Sequence, residues 1–270
     1  MRSVRKFLLF PLVLVTLIGA RLDGEAQAPT AEEIMQRVHH RPTWEDMQAF
    51  MTLRLLPPEG PEQAYEMESF AKKDPETGEV KMLIRFTAPP EVAGIEFLLH
   101  EHNDRDDDIW LYLPALGRAK KVVASGKAGA FMGSDFSHYD IGGGEYEDWT
   151  YSLIGEEEVQ GRPCYVVEAR ARDEGVVEKT GYLRVIKWVD KERFLVLRSD
   201  HYDKDDELFK RITMLEVVEI EGIRFESVME AENLRTGHRS RFELQDIKVN
   251  QGLPDDLFDP ENLGSRGDGD

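Results

Sequence analysis

The chain has 270 residues, of which 41% are hydrophobic and 32% are charged. It can therefore bury a sizeable core, but it carries too many charges for a polytopic membrane protein. Its 34 Lys and Arg residues against 53 Asp and Glu residues give a net charge of -19, the opposite of the basic surplus typical of nucleic-acid-binding proteins. The single cysteine, Cys164, excludes an intramolecular disulfide framework and a thiolate zinc cluster.

Residues 1–28 predict a signal peptide and hence an exported protein. Three basic residues among the first six precede an uninterrupted apolar run over residues 7–18. This run is long enough for a signal-peptide core and too short to span ~30 Å of hydrocarbon. Small residues favour cleavage after Ala26 or Ala28, and an uncleaved membrane anchor is the alternative. No cysteine follows the run directly, so we expect an exported protein that is not itself a lipoprotein, with one domain over residues 29–270.

The first element predicted after this segment is a short helix. Thr30 and Glu33 have the spacing of a capping box, which predicts an amphipathic helix over residues 31–39. Its apolar face carries three residues: Ile34, Met35 and Val38.

The remainder of the chain predicts an antiparallel β-protein. Apolar and polar residues alternate with the period of two that strands require, in five clear segments: 82–86, 95–99, 165–169, 223–229 and 242–249. The last segment changes parity, which predicts a β-bulge near Asp246. No helical pattern of ten residues separates the strands, so the sequence does not favour a parallel α/β sheet. About a dozen strands predict a mainly β fold, either a large curved antiparallel sheet or a barrel.

The segment from Ser125 to Glu147 breaks this pattern because it is rich in glycine and aromatic residues. Four apolar side chains in it have the spacing of a short helical turn: Phe131, Met132, Phe136 and Tyr139. A long segment of this kind in a compact domain is either functional or folds locally. The alternative is a plug that closes one end of the core.

The motifs do not assemble into a catalytic or metal site. His100 and His102 precede an acidic run, but that run lacks the glycine and distal glutamate of a calcium loop and fits a solvated hairpin tip. Cys164 begins an apolar strand and predicts a buried, inert thiol. No serine-hydrolase, zinc-protease or phosphate-loop motif is present, so we expect no enzyme activity, no cofactor and no metal. One basic cluster fits either a solvated strand edge or an anionic partner: Arg118, Lys120 and Lys121.

Three strings in the sequence are distinctive. Residues 85–121 read RFTAPPEVAGIEFLLHEHNDRDDDIWLYLPALGRAKK, residues 131–140 read FMGSDFSHYD, and residues 253–263 read LPDDLFDPENL. In these strings, and in the order of export signal, helix and strands, the chain resembles the LolA-like outer-membrane lipoprotein-sorting family, in particular its treponemal-type branch. The resemblance implies an incomplete β-barrel with the N-terminal helix and a short loop helix across its apolar concave face.

The resemblance also implies a periplasmic carrier or chaperone that moves lipoproteins or other lipids towards the outer membrane. Each buried CH₂ of an acyl chain is worth ~0.8 kcal/mol, so a long chain needs an apolar cavity to cross water. We predict eight residues as candidates for its lining: Met82, Phe97, Leu99, Trp110, Phe131, Met132, Met214 and Met229. The residues predicted to form its lid are Ile34, Met35 and Val38. For each of these residues, plain core packing is the alternative.

The expected partners are the acyl chains of lipoproteins or another lipid, with an inner-membrane transporter or an outer-membrane acceptor. We expect a monomer and no nucleic acid. One alternative function is a periplasmic sensor of the RseB-like kind, which binds lipoprotein and a signalling partner. Another is an exported hydrolase, for which the sequence offers no nucleophile and base.

Overall fold

A computed structural model describes residues 28–102, 105, 107–122, 127–142 and 146–265. The signal peptide predicted for residues 1–28 lies outside these residues, apart from Ala28. Within the described residues there are three helices: α1 (Ala31–His39), α2 (His138–Gly142) and α3 (Glu174–Thr180). There are also thirteen strands in this part of the chain: β1 (Asp46–Leu56), β2 (Gln63–Lys73), β3 (Val80–Ala88), β4 (Glu96–His100), β5 (Asp108–Leu113), β6 (Arg118–Val122), β7 (Trp149–Val159), β8 (Arg162–Ala171), β9 (Arg184–Asp190), β10 (Val196–Tyr202), β11 (Leu208–Ile220), β12 (Ile223–Asn233) and β13 (Arg239–Val249).

Helix α1 begins at the predicted capping box. The Thr30 hydroxyl accepts the backbone N–H of Glu33 at 3.2 Å, and the Glu33 carboxylate accepts the backbone N–H of Thr30 at 2.9 Å. Two N–H groups that the helix itself leaves unpaired are thereby satisfied. Ile34 and Met35 are buried, as the apolar face predicts.

The strands form one antiparallel sheet in the order β6-β5-β4-β3-β2-β1-β13-β12-β11-β10-β9-β8-β7. Among the described strands β6 and β7 are the two edges, so the sheet does not close into a barrel, and the predicted mainly β fold is confirmed. The basic residues Arg118, Lys120 and Lys121 lie on β6. A charged edge strand disfavours pairing with a second sheet.

Two local features near the end of the sheet depend on positive φ values, and the second of them is the predicted bulge. Glu221 and Gly222 both have positive φ, 51° and 78°, and connect β11 to β12 in a tight hairpin. Asp246 also has a positive φ of 50°, and the register between β1 and β13 shifts at this point. The extra residue turns the following side chains to the other face, which explains the change of parity in the sequence.

The apolar core lies on both faces of the sheet. On the inner face, α1 covers strands β7 to β9, and residues 127–142 cover strands β1 to β5, β12 and β13. On the outer face, the C-terminal segment packs against β3 and β4 through Leu257, Phe258 and Leu263. Leu83 and Leu98 receive this segment, whereas their chain neighbours point to the inner face, as the period of two requires.

Candidate binding site

A cavity of about 300 Å³ lies between the inner face of the sheet and residues 127–142, which we call the cover segment. Its wall is contributed by strands from β5 through β1 to β12, so the sheet curves around it. Most of the wall is apolar, with side chains that include Met47, Met51, Ala71, Met82, Ile84, Ile109, Ile141, Met229 and Leu244. Its volume is at the lower end of the range for small-molecule sites.

The two ends of the cavity differ in polarity. At the inner end, Ile84 and Phe131 are each only 1% exposed. The other end is formed where β4 ends and β5 and β12 begin, and there Glu101, Lys127 and Glu226 are each about one-quarter exposed. This charged end, which also includes Asp107, is the mouth of the cavity. The site therefore has the polarity of an amphiphile: an apolar interior and a charged, wet opening.

The cover segment folds into a compact loop. The backbone N–H of Phe131 donates to the Phe136 carbonyl at 2.7 Å, and positive φ values at Met132 and Gly133 turn the chain between them. The Ser134 hydroxyl donates to the Phe131 carbonyl at 2.6 Å. Phe131 and Phe136 are thereby held almost fully buried above the sheet. The segment therefore folds locally, which is one of the interpretations of its sequence.

The cover segment is attached to β13 by a first polar contact. The Asp135 carboxylate accepts the hydroxyl of Ser240 at 2.6 Å and contacts His238 Nδ1 at 2.6 Å. The Ser240 hydroxyl in turn accepts the backbone N–H of Asp135 at 2.9 Å. These bonds fix the position of the turn relative to the sheet.

A second, buried contact attaches α2 to β11. Lys210 Nζ donates to the Asp140 carboxylate at 2.9 Å and to the Tyr182 hydroxyl at 2.8 Å. The Asp140 carboxylate also accepts the Tyr182 hydroxyl at 2.9 Å and the backbone N–H of Ser137 at 2.7 Å. Although burial opposes ionisation, the charge of Lys210 and these bonds hold the pKa of Asp140 below its usual range. Burial and the neighbouring Asp140 raise the pKa of Tyr182 well above its usual range.

Two further basic groups lie near this ion pair. Burial lowers the pKa of Lys187 to about 8, and the charge of Asp140 only partly opposes that shift. Burial likewise lowers the pKa of His201 to about 4. His201 Nε2 lies 2.9 Å from the Ser199 hydroxyl. These two groups do not line the cavity, and the bond between Lys210 and Asp140 is the one that attaches the cover segment to β11.

The chain is similar to a known protein family and to several solved structures. A family model described as "Uncharacterized protein" matches residues 78–265, more than half of the chain. A DUF1329 family protein from Desulfovibrio piger is 29% identical, with a TM-score of 0.78 over 86% of this chain and 97% of that one. An outer membrane lipoprotein-sorting protein domain from Vibrio parahaemolyticus is 28% identical, with a TM-score of 0.76 over 87% and 98%. A LolA superfamily protein from Nitrosomonas europaea has the same fold, with 20% identity and a TM-score of 0.64 over 86% and 98%.

The chain belongs to the family whose model matches residues 78–265, and it has a LolA-like fold. No protein among the curated sequences matches it. None of the helices in the described part of this LolA-like protein is both long and apolar enough to cross a bilayer.

Five of the eight predicted lining residues border the cavity: Met82, Phe97, Leu99, Phe131 and Met229. The first three lie on the adjacent strands β3 and β4, where Met82 faces Leu99 and Ile84 faces Phe97 in register. Strand alternation therefore carries the information that places them on one face.

Three predicted lining residues lie elsewhere among the described residues. Trp110 follows the cavity residue Ile109 on β5 and so points to the outer face, where it packs edge-on against His100 at 4.9 Å. Met214 packs with Cys164 and other residues of β8 to β10, directly before a register shift in β11. Met132 packs at the margin of the cover segment and does not border the cavity.

The predicted lid residues Ile34, Met35 and Val38 cover a different part of the inner face. They pack with Trp149 and Tyr151 and their neighbours on β7 to β9. Tyr139, in the cover segment, belongs to this cluster and also borders the cavity. Among the described residues, Tyr139 connects the cluster around helix α1 with the cavity lining, and the role of α1 as a lid remains a prediction.

The residues considered for metal binding and thiol chemistry are held by contacts within the fold. His100 Nε2 donates to the Phe258 carbonyl at 2.8 Å, and His102 lies beside Asp108. Cys164 is buried, as predicted, and burial raises the pKa of its thiol. In the part of the chain that the structure describes, no group of three His, Cys, Asp or Glu side chains could hold a metal ion.

Sequence reasoning did not find the residues that fix the cover segment or form the mouth. Lys210 is the exception, because the alternation of the sequence could have identified it. It lies two residues before the half-buried Ile212 on β11, so its side chain points to the same face of the sheet. A lysine at an inward-facing position needs a buried partner. Nothing in the sequence identifies that partner as Asp140, which is 70 residues away.

Proposed function

We propose that this LolA-like protein is a periplasmic carrier that binds the acyl chains of lipoproteins or other lipids and moves them towards the outer membrane. The observation that supports this most directly is the cavity, which combines an apolar interior with a charged mouth. Affinity comes from removing methylene groups from water, at ~0.8 kcal/mol for each CH₂. The protein acts by binding and release, without catalysis.

The limited size of the cavity suits a carrier. A cavity of about 300 Å³ covers only part of a long acyl chain, so binding stays weak enough for release. Every ~1.4 kcal/mol changes affinity about tenfold. A few methylene groups left outside the cavity therefore lower the affinity enough for the ligand to be released. The Vibrio parahaemolyticus relative is named for lipoprotein sorting, which agrees with this role.

Native mass spectrometry of the protein purified without detergent from a bacterial envelope tests the proposal. We expect a population carrying bound lipid or acylated peptide. A protein that is empty and that captures a single signalling protein would instead support the sensor.

Filling part of the cavity should weaken binding. Ala71 borders the cavity and is buried on β2, so Ala71→Phe places a ring in space that a ligand would occupy. Excluding two methylene groups costs about 1.6 kcal/mol, and affinity for a fluorescent alkyl probe should fall more than tenfold.

The control is Ala64→Phe, on the same strand but outside the cavity lining. It should leave probe affinity unchanged. If both variants bind the probe as the unaltered protein does, the cavity is not the binding site.

A further inference from the structure

The mouth of the cavity holds more negative than positive charge. Among the described residues that line the cavity, three are carboxylates and one is a lysine. Glu226 is paired with Arg41 outside the lining, at 2.8 Å. Lys127 is left with two carboxylates: its Nζ lies 3.5 Å from Glu101 and 3.7 Å from Asp107.

Neither of the two contacts to Lys127 is a close ion pair, since charged hydrogen bonds are normally shorter than ~3 Å. The other oxygen of Asp107 accepts the backbone N–H of His102 at 3.2 Å. Burial raises the pKa of Glu101 even though Lys127 acts in the opposite direction. The carboxylates at the mouth are therefore only partly compensated by this lysine.

We propose that this mouth selects amphiphiles whose head group carries a protonated amine and discriminates against phosphate, sulfate and carboxylate head groups. This inference rests on the proposed function, because it assigns the head group of a ligand whose alkyl chain occupies the cavity. An ammonium group has three donors and no acceptor, so it can bond to both carboxylates and complete their charge balance. An anionic head group would have to displace Lys127 from them and would meet their negative charge.

The experiment compares three ligands of equal chain length: dodecylamine, dodecanol and dodecyl sulfate. Each displaces a neutral fluorescent probe from the full chain at neutral pH, with the two ionic ligands below their micelle concentrations and dodecanol below its solubility limit. We expect dodecylamine to displace the probe at a concentration about tenfold lower than dodecyl sulfate, with dodecanol between them.

Substitutions at the mouth separate this effect from the net charge of the whole chain. The double variant Glu101→Gln with Asp107→Asn should bring dodecylamine and dodecyl sulfate to within about twofold of each other. The control Glu158→Gln with Glu178→Gln removes the same charge at exposed positions outside the lining and should keep the tenfold preference. Lys127→Met should increase the preference for the amine.

Equal displacement by dodecylamine and dodecyl sulfate would overturn the inference and leave the proposed function standing, provided that dodecanol binds. The inference would also be overturned if the preference for dodecylamine persisted in the double variant at the mouth but disappeared in the control variant. The net charge of the whole chain would then be responsible for the preference. If dodecanol fails to bind as well, the proposed function itself is wrong, and this inference falls with it.

Discussion

Replacing Asp140 with alanine is expected to lower the free energy of unfolding by about 3–5 kcal/mol. The reason is that Lys210 would remain buried with its charge uncompensated, since the two side chains are only 9% and 3% exposed. The measurement is urea denaturation at neutral pH. Amide hydrogen exchange should also become faster in the cover segment, because its α2 end would lose its attachment to β11.

The double variant Asp140→Ala with Lys210→Met makes this prediction specific. Removing both charges eliminates the buried unpaired group, so the double variant should be more stable than Asp140→Ala alone. The control is Glu219→Gln, which breaks the exposed pair with Arg224 at 2.9 Å and should cost less than about 1 kcal/mol. A cost for Asp140→Ala no larger than that of the control would refute the structural role of the buried pair.

Replacing Lys187 with methionine is expected to raise the free energy of unfolding at pH 7 by up to about 3 kcal/mol. Burial lowers the pKa of Lys187 to about 8 in the folded protein, from an ordinary value of 10.5. Below pH 8 the folded protein therefore bears the whole cost of a buried ammonium group. Methionine removes that charge while keeping an unbranched apolar side chain on the inner face, between Val185 and Val189.

The sign of the pH dependence follows from the two pKa values. Between pH 8 and pH 10.5 the unfolded chain binds more protons at Lys187 than the folded protein does. The free energy of unfolding of the unaltered protein therefore rises with pH in this range. The advantage of Lys187→Met should therefore be constant below pH 8 and disappear as the pH passes 10.5. Lys204→Met, at an exposed position, is the control and should show no such profile. A pH-independent difference would mean that packing, and not charge, explains the effect.

Much of the fold could be predicted from local sequence signals. The capping box at Thr30 defines the start of α1, and the change of parity near Asp246 identifies a bulge, because both features depend only on neighbouring residues. Alternation also placed Met82, Phe97 and Leu99 on one face. The same rule, applied consistently, would have separated Trp110 from Ile109.

The arrangement across the sheet could not be predicted in the same way. Helix α1 packs on β7 to β9, because the order of strands in the sheet decides which half of the inner face it meets. The pair of Asp140 and Lys210 is equally non-local. The charged mouth depends on the contact between Glu101 and Lys127, which are far apart in the sequence, and no local pattern predicts that contact.

The position of the mouth has a consequence for how fast a ligand would exchange. The opening lies at one end of the strands, whereas the bonds that hold the cover segment lie towards the opposite end, near the start of β11 and of β13. If the cavity binds lipid as proposed, an alkyl chain would thread in lengthwise while the Asp140 and Lys210 contact stays intact. Loading and unloading rates would then scale with the length of the guest's tail and remain insensitive to the strength of that contact.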